Sequence, residues 1–282
     1  MPGIAVRDTN LFYQERGSGP LAVFLHGFMM DHTLWLDQLE HLAGQRRCVA
    51  VDQRGFGRSD PIAVDVLDLD DYADDVAALI EALGEEEADL VGFSMGGTVA
   101  LKAWERHPRR VRSLSLLSTG FGPPPGSPPL QRRPGEQGTV EYLEGNAEKA
   151  VFQGKQVLFL QFNDYIFGPS GGRASLMARA RYKSMFEGTR TDMQVATFQT
   201  MQRRVDLRPI LERVDVPIQL LAGELDIFTP DMAREVASRN PRASVSVLDG
   251  VGRLAPIENP PEFSRALEAF WTRLPGSTPA LR

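Results

Sequence analysis

The sequence predicts an α/β protein built on a mostly parallel, doubly wound sheet, with a helical insertion near the middle of the chain. Short apolar runs alternate with longer amphipathic runs, the pattern of strands joined by crossover helices. A cluster of glycines and prolines at 120–126 interrupts this alternation, which resumes near residue 218. With 282 residues, the chain is long enough to bury a full core.

Each strand is predicted from a run of buried-type residues, and each helix from apolar residues spaced three or four apart. The predicted strands span 21–25, 48–51, 89–93, 111–117, 218–222 and 244–248. The predicted helices span 34–42, 69–83, 96–106, 230–238 and 261–274. Because right-handed crossovers place helices on both faces of a parallel sheet, we expect one core formed by residues 1–120 and 211–282.

Residues 121–210 form the predicted insertion. The segment is rich in phenylalanine and methionine, including Phe152, Phe159, Phe162 and Met185, but without a regular period. Such a segment is typical of a helical lid over a ligand pocket, although a helical insertion that only packs on the body fits equally well.

Composition excludes several classes of function. The formal net charge of −6 gives no electrostatic reason to bind nucleic acid or an anionic membrane. Neither a leader peptide nor a long apolar run is recognised, and the single cysteine, Cys48, excludes an intrachain disulfide. We expect a cytoplasmic protein with an inert buried thiol and no membrane segment, and the sequence leaves the oligomeric state open.

A candidate nucleophile lies between the strand at 89–93 and the next helix. Residues 92–96 read Gly-Phe-Ser-Met-Gly, and small residues at both ends permit the sharp strand-to-helix turn that exposes a nucleophilic serine. The helix that follows Ser94 directs free backbone N–H groups at the site, so Met95 N–H is the first predicted oxyanion donor. Phe28 N–H, in the turn after the strand at 21–25, is the second candidate.

Cofactor chemistry is not predicted. The run at 92–97 resembles a dinucleotide-binding loop, but Ser94 replaces the middle glycine that pyrophosphate binding requires. The spacing of His, Cys and carboxylate residues predicts no metal site.

The chain resembles the α/β-hydrolase superfamily, and within it the esterases, perhydrolase-like arylesterases and enol-lactone hydrolases. The motifs that carry the resemblance are His26-Gly27-Phe28, residues 52–60, 92–97, 223–226 with Pro230, and 250–258. It implies a small-molecule ester or lactone substrate, a pocket lined by Phe28, Met95 and lid aromatics, and Asp226 as the acid of a catalytic triad. Glu224 is a weaker alternative for that acid.

The chain departs from the family where the catalytic histidine is expected, because residue 253 is arginine. A guanidinium stays protonated at any physiological pH and cannot accept the Ser94 proton. Three hypotheses follow: a serine hydrolase weakened at position 253, a non-catalytic protein that binds a small ligand with Arg253 as anchor, and an enzyme with a relocated base. In the first, Arg253 pairs with Asp226 and the esterase activity is very low.

The four histidines are the candidates for a relocated base. His26 is expected to brace the turn that carries Phe28. His32 is expected in a surface loop after that turn, and His41 and His107 are expected to face solvent. Neither His26 nor His32 occupies the family position relative to Asp226.

Overall fold

The computed structural model describes residues 3–122, 166–167, 175–202, 206–226 and 230–274. Its centre is an eight-stranded sheet in the order β1-β2-β4-β3-β5-β6-β7-β8. The strands are β1 Gly3–Val6, β2 Thr9–Arg16, β3 Leu21–Leu25, β4 Arg47–Val51, β5 Ala88–Phe93, β6 Val111–Leu117, β7 Ile218–Gly223 and β8 Ala243–Leu248. The six strands β3 to β8 are parallel to one another. Strands β1 and β2 form an antiparallel hairpin at one edge, and β2 pairs antiparallel with β4.

The described helices lie between the strands and near the chain's C-terminal end. They are α1 Leu36–Leu42, α2 Leu69–Ala82, α3 Met95–Arg106, α4 Leu176–Gly188, α5 Thr191–Gln202, α6 Arg208–Arg213, α7 Pro230–Ala237, α8 Ala255–Glu258 and α9 Pro260–Trp271. A 3₁₀ turn, His32–Trp35, precedes α1. Within the described ranges, every helix is too short or too polar to cross a membrane.

Both faces of the sheet are buried. Along β3, Ala22 and Phe24 pack into a cluster with α1 and α9, whereas Val23 and Leu25 pack into a second cluster with α2 and α3. Because successive strand residues point to opposite faces, a strand that is apolar at every position requires cover on both sides. This confirms the predicted doubly wound architecture.

The predicted elements agree closely with the structure. The strands at 21–25 and 111–117 are confirmed without change, and the other predicted strands and the helices shift by one to three residues at their ends, with a 3₁₀ turn replacing the first residues of α1. The hairpin β1–β2 was missed. Most residues of β2 are only half-buried, so polar and apolar types are both tolerated there. The alternation of polar and apolar residues that marks a strand is therefore weak in this segment.

The described part of the insertion is helical. Helix α4 packs by Tyr182 and Phe186 into the cluster that contains Met29 and Trp35, close to the end of β3. Thr200 of α5 accepts a hydrogen bond of 2.8 Å from the Leu67 backbone N–H. Residues 123–165 and 168–174, which include Phe152, Phe159 and Phe162, lie outside the described residues, so the lid stays a prediction.

Candidate active site

Ser94 lies at the turn between β5 and α3. Its backbone has φ 53° and ψ −110°, a conformation that a residue with a side chain rarely adopts. A side chain at residue 96 would lie against the carbonyl of Leu25, so glycine is required where α3 crosses the end of β3. The turn therefore holds Ser94 at the start of α3, where the first N–H groups have no partner within the helix.

The segment with the predicted second oxyanion donor packs against this turn. A β-carbon at Gly27 would lie 2.7 Å from Phe93 Cδ1, so the chain at 26–28 runs in contact with the end of β5. Phe28 packs against both hydrophobic clusters, and Met95 is buried at the first position of α3. The structure thus brings together the two segments that carry the predicted donors, Phe28 and Met95.

Arg253 connects Ser94 with Asp226. Its Nη2 donates to Ser94 Oγ at 3.2 Å, and its Nη1 lies 3.3 Å from Asp226 Oδ1. The guanidinium also lies 5.5 Å from the centre of the Phe93 ring. The Arg253 and Asp226 side chains are only 4% and 0% exposed, so this ion pair is shielded from solvent. Glu224, the weaker candidate acid, instead accepts a bond from the Gly250 backbone N–H.

The loop that carries Arg253 is braced by Glu258. The two carboxylate oxygens of Glu258 accept hydrogen bonds of 2.8 Å from the N–H groups of Gly252 and Leu254. Burial raises the pKa of Glu258, and the two backbone hydrogen bonds act in the opposite direction. Residue 253 is therefore held on both sides by one side chain.

Ser118, directly after β6, also belongs to the site. Its hydroxyl donates a short hydrogen bond to Asp226 Oδ2, and its carbonyl accepts from Arg253 Nη2 at 3.3 Å. Sequence reasoning missed both Ser118 and Glu258. The only signal for Ser118 is its place at the carboxyl end of a parallel strand, and that for Glu258 is its place in the motif at 250–258.

His26 braces its turn, as predicted. Its Nε2 accepts from the Gln53 backbone N–H at 3.0 Å, so the ring proton lies on Nδ1, which donates to the Gly27 carbonyl at 2.8 Å. Burial lowers the pKa of His26 and keeps the ring neutral. Both ring nitrogens are engaged away from Ser94.

The prediction that His32 lies in a surface loop was wrong. His32 is buried, and its Nδ1 lies 2.8 Å from Asp52 Oδ1. Although burial acts to raise the pKa of Asp52, the hydrogen bond and charge of His32 lower it overall. The loop after β4 folds over the turn after β3, a contact between distant segments that local sequence does not reveal. Of the other two, His41 is exposed, and the half-buried His107 hydrogen-bonds to Asp74.

One grouping of possible metal ligands appears that spacing did not predict. Atoms of Asp31, His32 and Asp52 lie within 4.8 Å of one another. Hydrogen bonds account for the arrangement, because Asp52 accepts from His32 and from the Arg58 backbone N–H, and Asp31 accepts from Thr33.

A cavity of about 420 Å³ lies on the acid side of the site. It is lined mainly by apolar side chains from the ends of β6 and β7 and from α7, together with Ser118 and Thr119. Its lining does not include Phe28 or Met95, so it does not test the predicted acyl pocket beside them.

Comparison with known proteins assigns the family. Residues 20–260 match the model of the α/β hydrolase fold. The chain is 32% identical over 235 residues to the AB hydrolase superfamily protein YisY of Bacillus subtilis, covering 80% of this chain and 82% of that protein. The chain therefore belongs to the α/β hydrolase fold family, as the resemblance implied.

Solved structures with similar folds agree with this family assignment. A thermophilic esterase from Thermogutta terrifontis superposes with a TM-score of 0.85 at 25% identity, covering 97% of this chain and 98% of that one. The enol-lactonase from Burkholderia xenovorans LB400 has a TM-score of 0.82 at 24% identity, covering 96% of this chain and all of that one. The second likeness is evidence for the fold alone.

Proposed function

We propose that the chain is a serine hydrolase of small carboxylic esters or lactones whose turnover is limited by Arg253. Ser94 is the nucleophile, Met95 and Phe28 N–H are the oxyanion donors, and Asp226 is the acid. The observation that carries the proposal is the position of Arg253, which contacts Ser94 Oγ at 3.2 Å and Asp226 Oδ1 at 3.3 Å. A general base would occupy this place between nucleophile and acid.

The chemistry of the site supports acyl transfer. Attack of the Ser94 oxygen on an ester or lactone carbonyl creates an oxyanion, which the free N–H groups at the start of α3 are suited to stabilise. The likeness to the esterase from Thermogutta terrifontis, which covers nearly the whole of both chains, supports an ester as the substrate of this chain. The site needs no metal or organic cofactor for this reaction.

Arg253 cannot complete the reaction efficiently. Its guanidinium donates a hydrogen bond to Ser94 but accepts no proton from it. It can neither activate the serine nor return a proton to the leaving group. Loss of the histidine in a comparable triad lowers kcat by about 10⁶, while about 10³ to 10⁴ over the uncatalysed reaction survives through binding and the oxyanion site.

The test is hydrolysis of p-nitrophenyl acetate by the parent chain and by Arg253→His and Arg253→Gln. We expect Arg253→His to raise kcat by at least about 10³-fold, because it restores a base where binding and the oxyanion site are intact. Arg253→Gln is the matched control, since it removes the charge without supplying a base. Adding Ser94→Ala to the Arg253→His chain should abolish the gain.

If Arg253→His is no faster than Arg253→Gln, the proposal is wrong. Saturable binding of small carboxylates without turnover would then favour the ligand-binding alternative, for which the buried guanidinium is the natural anchor. A relocated base has little support, since His26 and His32 hydrogen-bond to residues other than Ser94 and Asp226.

A further inference from the structure

We propose that Ser118 is a positioning residue that fixes the carboxylate of Asp226 and the side chain at position 253 relative to each other. The inference rests on the proposed function, because it gives Ser118 a part in the same site. Three independent features of Ser118 support it: its contacts, the way in which it is anchored, and its backbone conformation.

The contacts of Ser118 reach both catalytic positions. Its hydroxyl lies close to Asp226 Oδ2 and 3.3 Å from the Arg253 carbonyl oxygen. A hydroxyl has one proton, so it donates to the carboxylate, which is the nearer and the charged acceptor. The Ser118 carbonyl in turn accepts from Arg253 Nη2 at 3.3 Å.

Among the contacts that the structure describes, the two oxygens of Asp226 face different partners. Oδ2 is held by the Ser118 hydroxyl, and Oδ1 faces Arg253 Nη1. A carboxylate held at one oxygen cannot rotate freely, so the other oxygen stays directed at residue 253. When an imidazole stands at position 253, the same restraint would leave Oδ1 in place to accept its N–H and fix its tautomer.

Ser118 is itself firmly anchored. It is 3% exposed, and its backbone N–H donates to the Leu221 carbonyl at 3.2 Å, which ties it to the end of β7. Strands β6 and β7 pair with each other in the sheet, so Ser118 is attached to two paired strands. A donor built on a rigid element can hold a carboxylate more precisely than a donor on an exposed loop.

The backbone of Ser118 is strained. Its φ of 49° lies in the left-handed region, which is unfavourable for a residue with a β-carbon and is readily adopted by glycine. Glycine would remove this cost but also the hydroxyl. A strained non-glycine residue whose side chain points at the acid is the kind of outlier from which a functional role can be inferred.

The test compares Ser118→Ala, Ser118→Gly and Ser115→Ala, each in the Arg253→His chain. Ser115 is the matched control: it lies on β6, the strand that Ser118 follows, is buried, and directs its hydroxyl at Gln219 Oε1 instead of Asp226. We expect both Ser118 variants to lower kcat by about 10- to 100-fold, by analogy with the loss seen when a residue that orients a metal ligand is removed. KM should stay within twofold, and Ser115→Ala should leave kcat within twofold.

Ser118→Gly separates positioning from stability. Because glycine relieves the strain, this variant should unfold at a higher temperature than Ser118→Ala while its kcat stays equally low. If kcat follows the melting temperature instead of the hydroxyl, or if Ser115→Ala lowers it as much, the inference is overturned.

A second measurement keeps the inference testable if Arg253→His gains no activity, the result that refutes the proposed function. Crystal structures of the parent chain and its Ser118→Ala variant report the Asp226 carboxylate directly. A carboxylate that turns and loses its contact with Arg253 Nη1 supports the positioning role. An unchanged carboxylate and an unchanged Arg253 contradict it.

Discussion

A small number of residues determine what the site of this chain can do. Ser94, at its strained turn, and Asp226 both contact one buried guanidinium, that of Arg253. Under the proposed function, Arg253 contacts the same two neighbours that a histidine base would contact, so an arginine at position 253 keeps the site in place but supplies no proton acceptor. A change of one side chain can thus separate the structure of an active site from its chemistry.

At the residue scale, we predict that Ser94→Gly is more stable than Ser94→Ala by about 1 kcal/mol. The backbone at Ser94, with φ 53° and ψ −110°, is strained for any residue with a β-carbon, and glycine relieves that strain. Urea unfolding measures the difference.

The control pair for this prediction is Ser113→Gly and Ser113→Ala. Ser113 is a buried residue in the extended backbone of β6, where glycine costs about 0.5–1 kcal/mol relative to alanine. The order of stability should therefore reverse. The same order at both positions would show that backbone strain at Ser94 is not what separates its variants.

Among the elements, α5 carries an unusual buried face. Thr197 and Gln194 are fully buried on this helix, and among the residues that the structure describes Thr197 Oγ1 and Gln194 Oε1 have no hydrogen-bond partner. Thr200, one turn further on, accepts from the Leu67 N–H and donates to the Ala196 carbonyl at 2.7 Å. In Thr200, hydrogen bonds offset the free energy cost of burying the hydroxyl. In Thr197, no hydrogen bond to a described residue offsets that cost.

At the scale of the element, we predict opposite effects for two equivalent changes. Thr197→Val should stabilise the fold by about 1 kcal/mol, because it removes a buried hydroxyl that has no partner within the described ranges. Thr200→Val should destabilise it by about 1–3 kcal/mol, because it leaves the Leu67 N–H unsatisfied. Thermal unfolding of the two variants checks both signs. A loss of stability in Thr197→Val would contradict the prediction.

For the whole molecule, burial of titratable groups makes stability depend on pH. Burial raises the pKa of the Cys48 thiol to about 12, in line with the inert thiol expected from sequence. Burial lowers the pKa of His26, so the folded chain keeps this ring neutral while the unfolded chain protonates it below about pH 6.5. The unfolded state then binds more protons, and stability is lost as pH falls.

We accordingly predict that the free energy of unfolding falls as pH is lowered from about 6.5, with a slope of up to about 1.4 kcal/mol per pH unit from His26. His26→Gln should lower the free energy of unfolding at every pH. It should also make the slope shallower by up to about 1.4 kcal/mol per pH unit, the contribution of one proton. The measurement is urea unfolding from pH 7 to pH 5. His41→Gln, on the exposed side of α1, should leave the slope unchanged, and an unchanged slope in His26→Gln would contradict the prediction.

The sequence by itself determined the parallel sheet, the Ser94 turn and the absence of a base at position 253, because each depends on local residue types and their spacing. Tertiary structure alone decided the edge hairpin, the burial of His32 against Asp52, and the contacts that Ser118 and Glu258 make with the segments around Asp226 and Arg253. These features depend on contacts between residues far apart in the chain: Ser118 and Asp226 meet only because β6 and β7 are neighbours in the sheet. Local patterns report the conformation of a segment, whereas only packing determines which side chains meet at the end of adjacent strands.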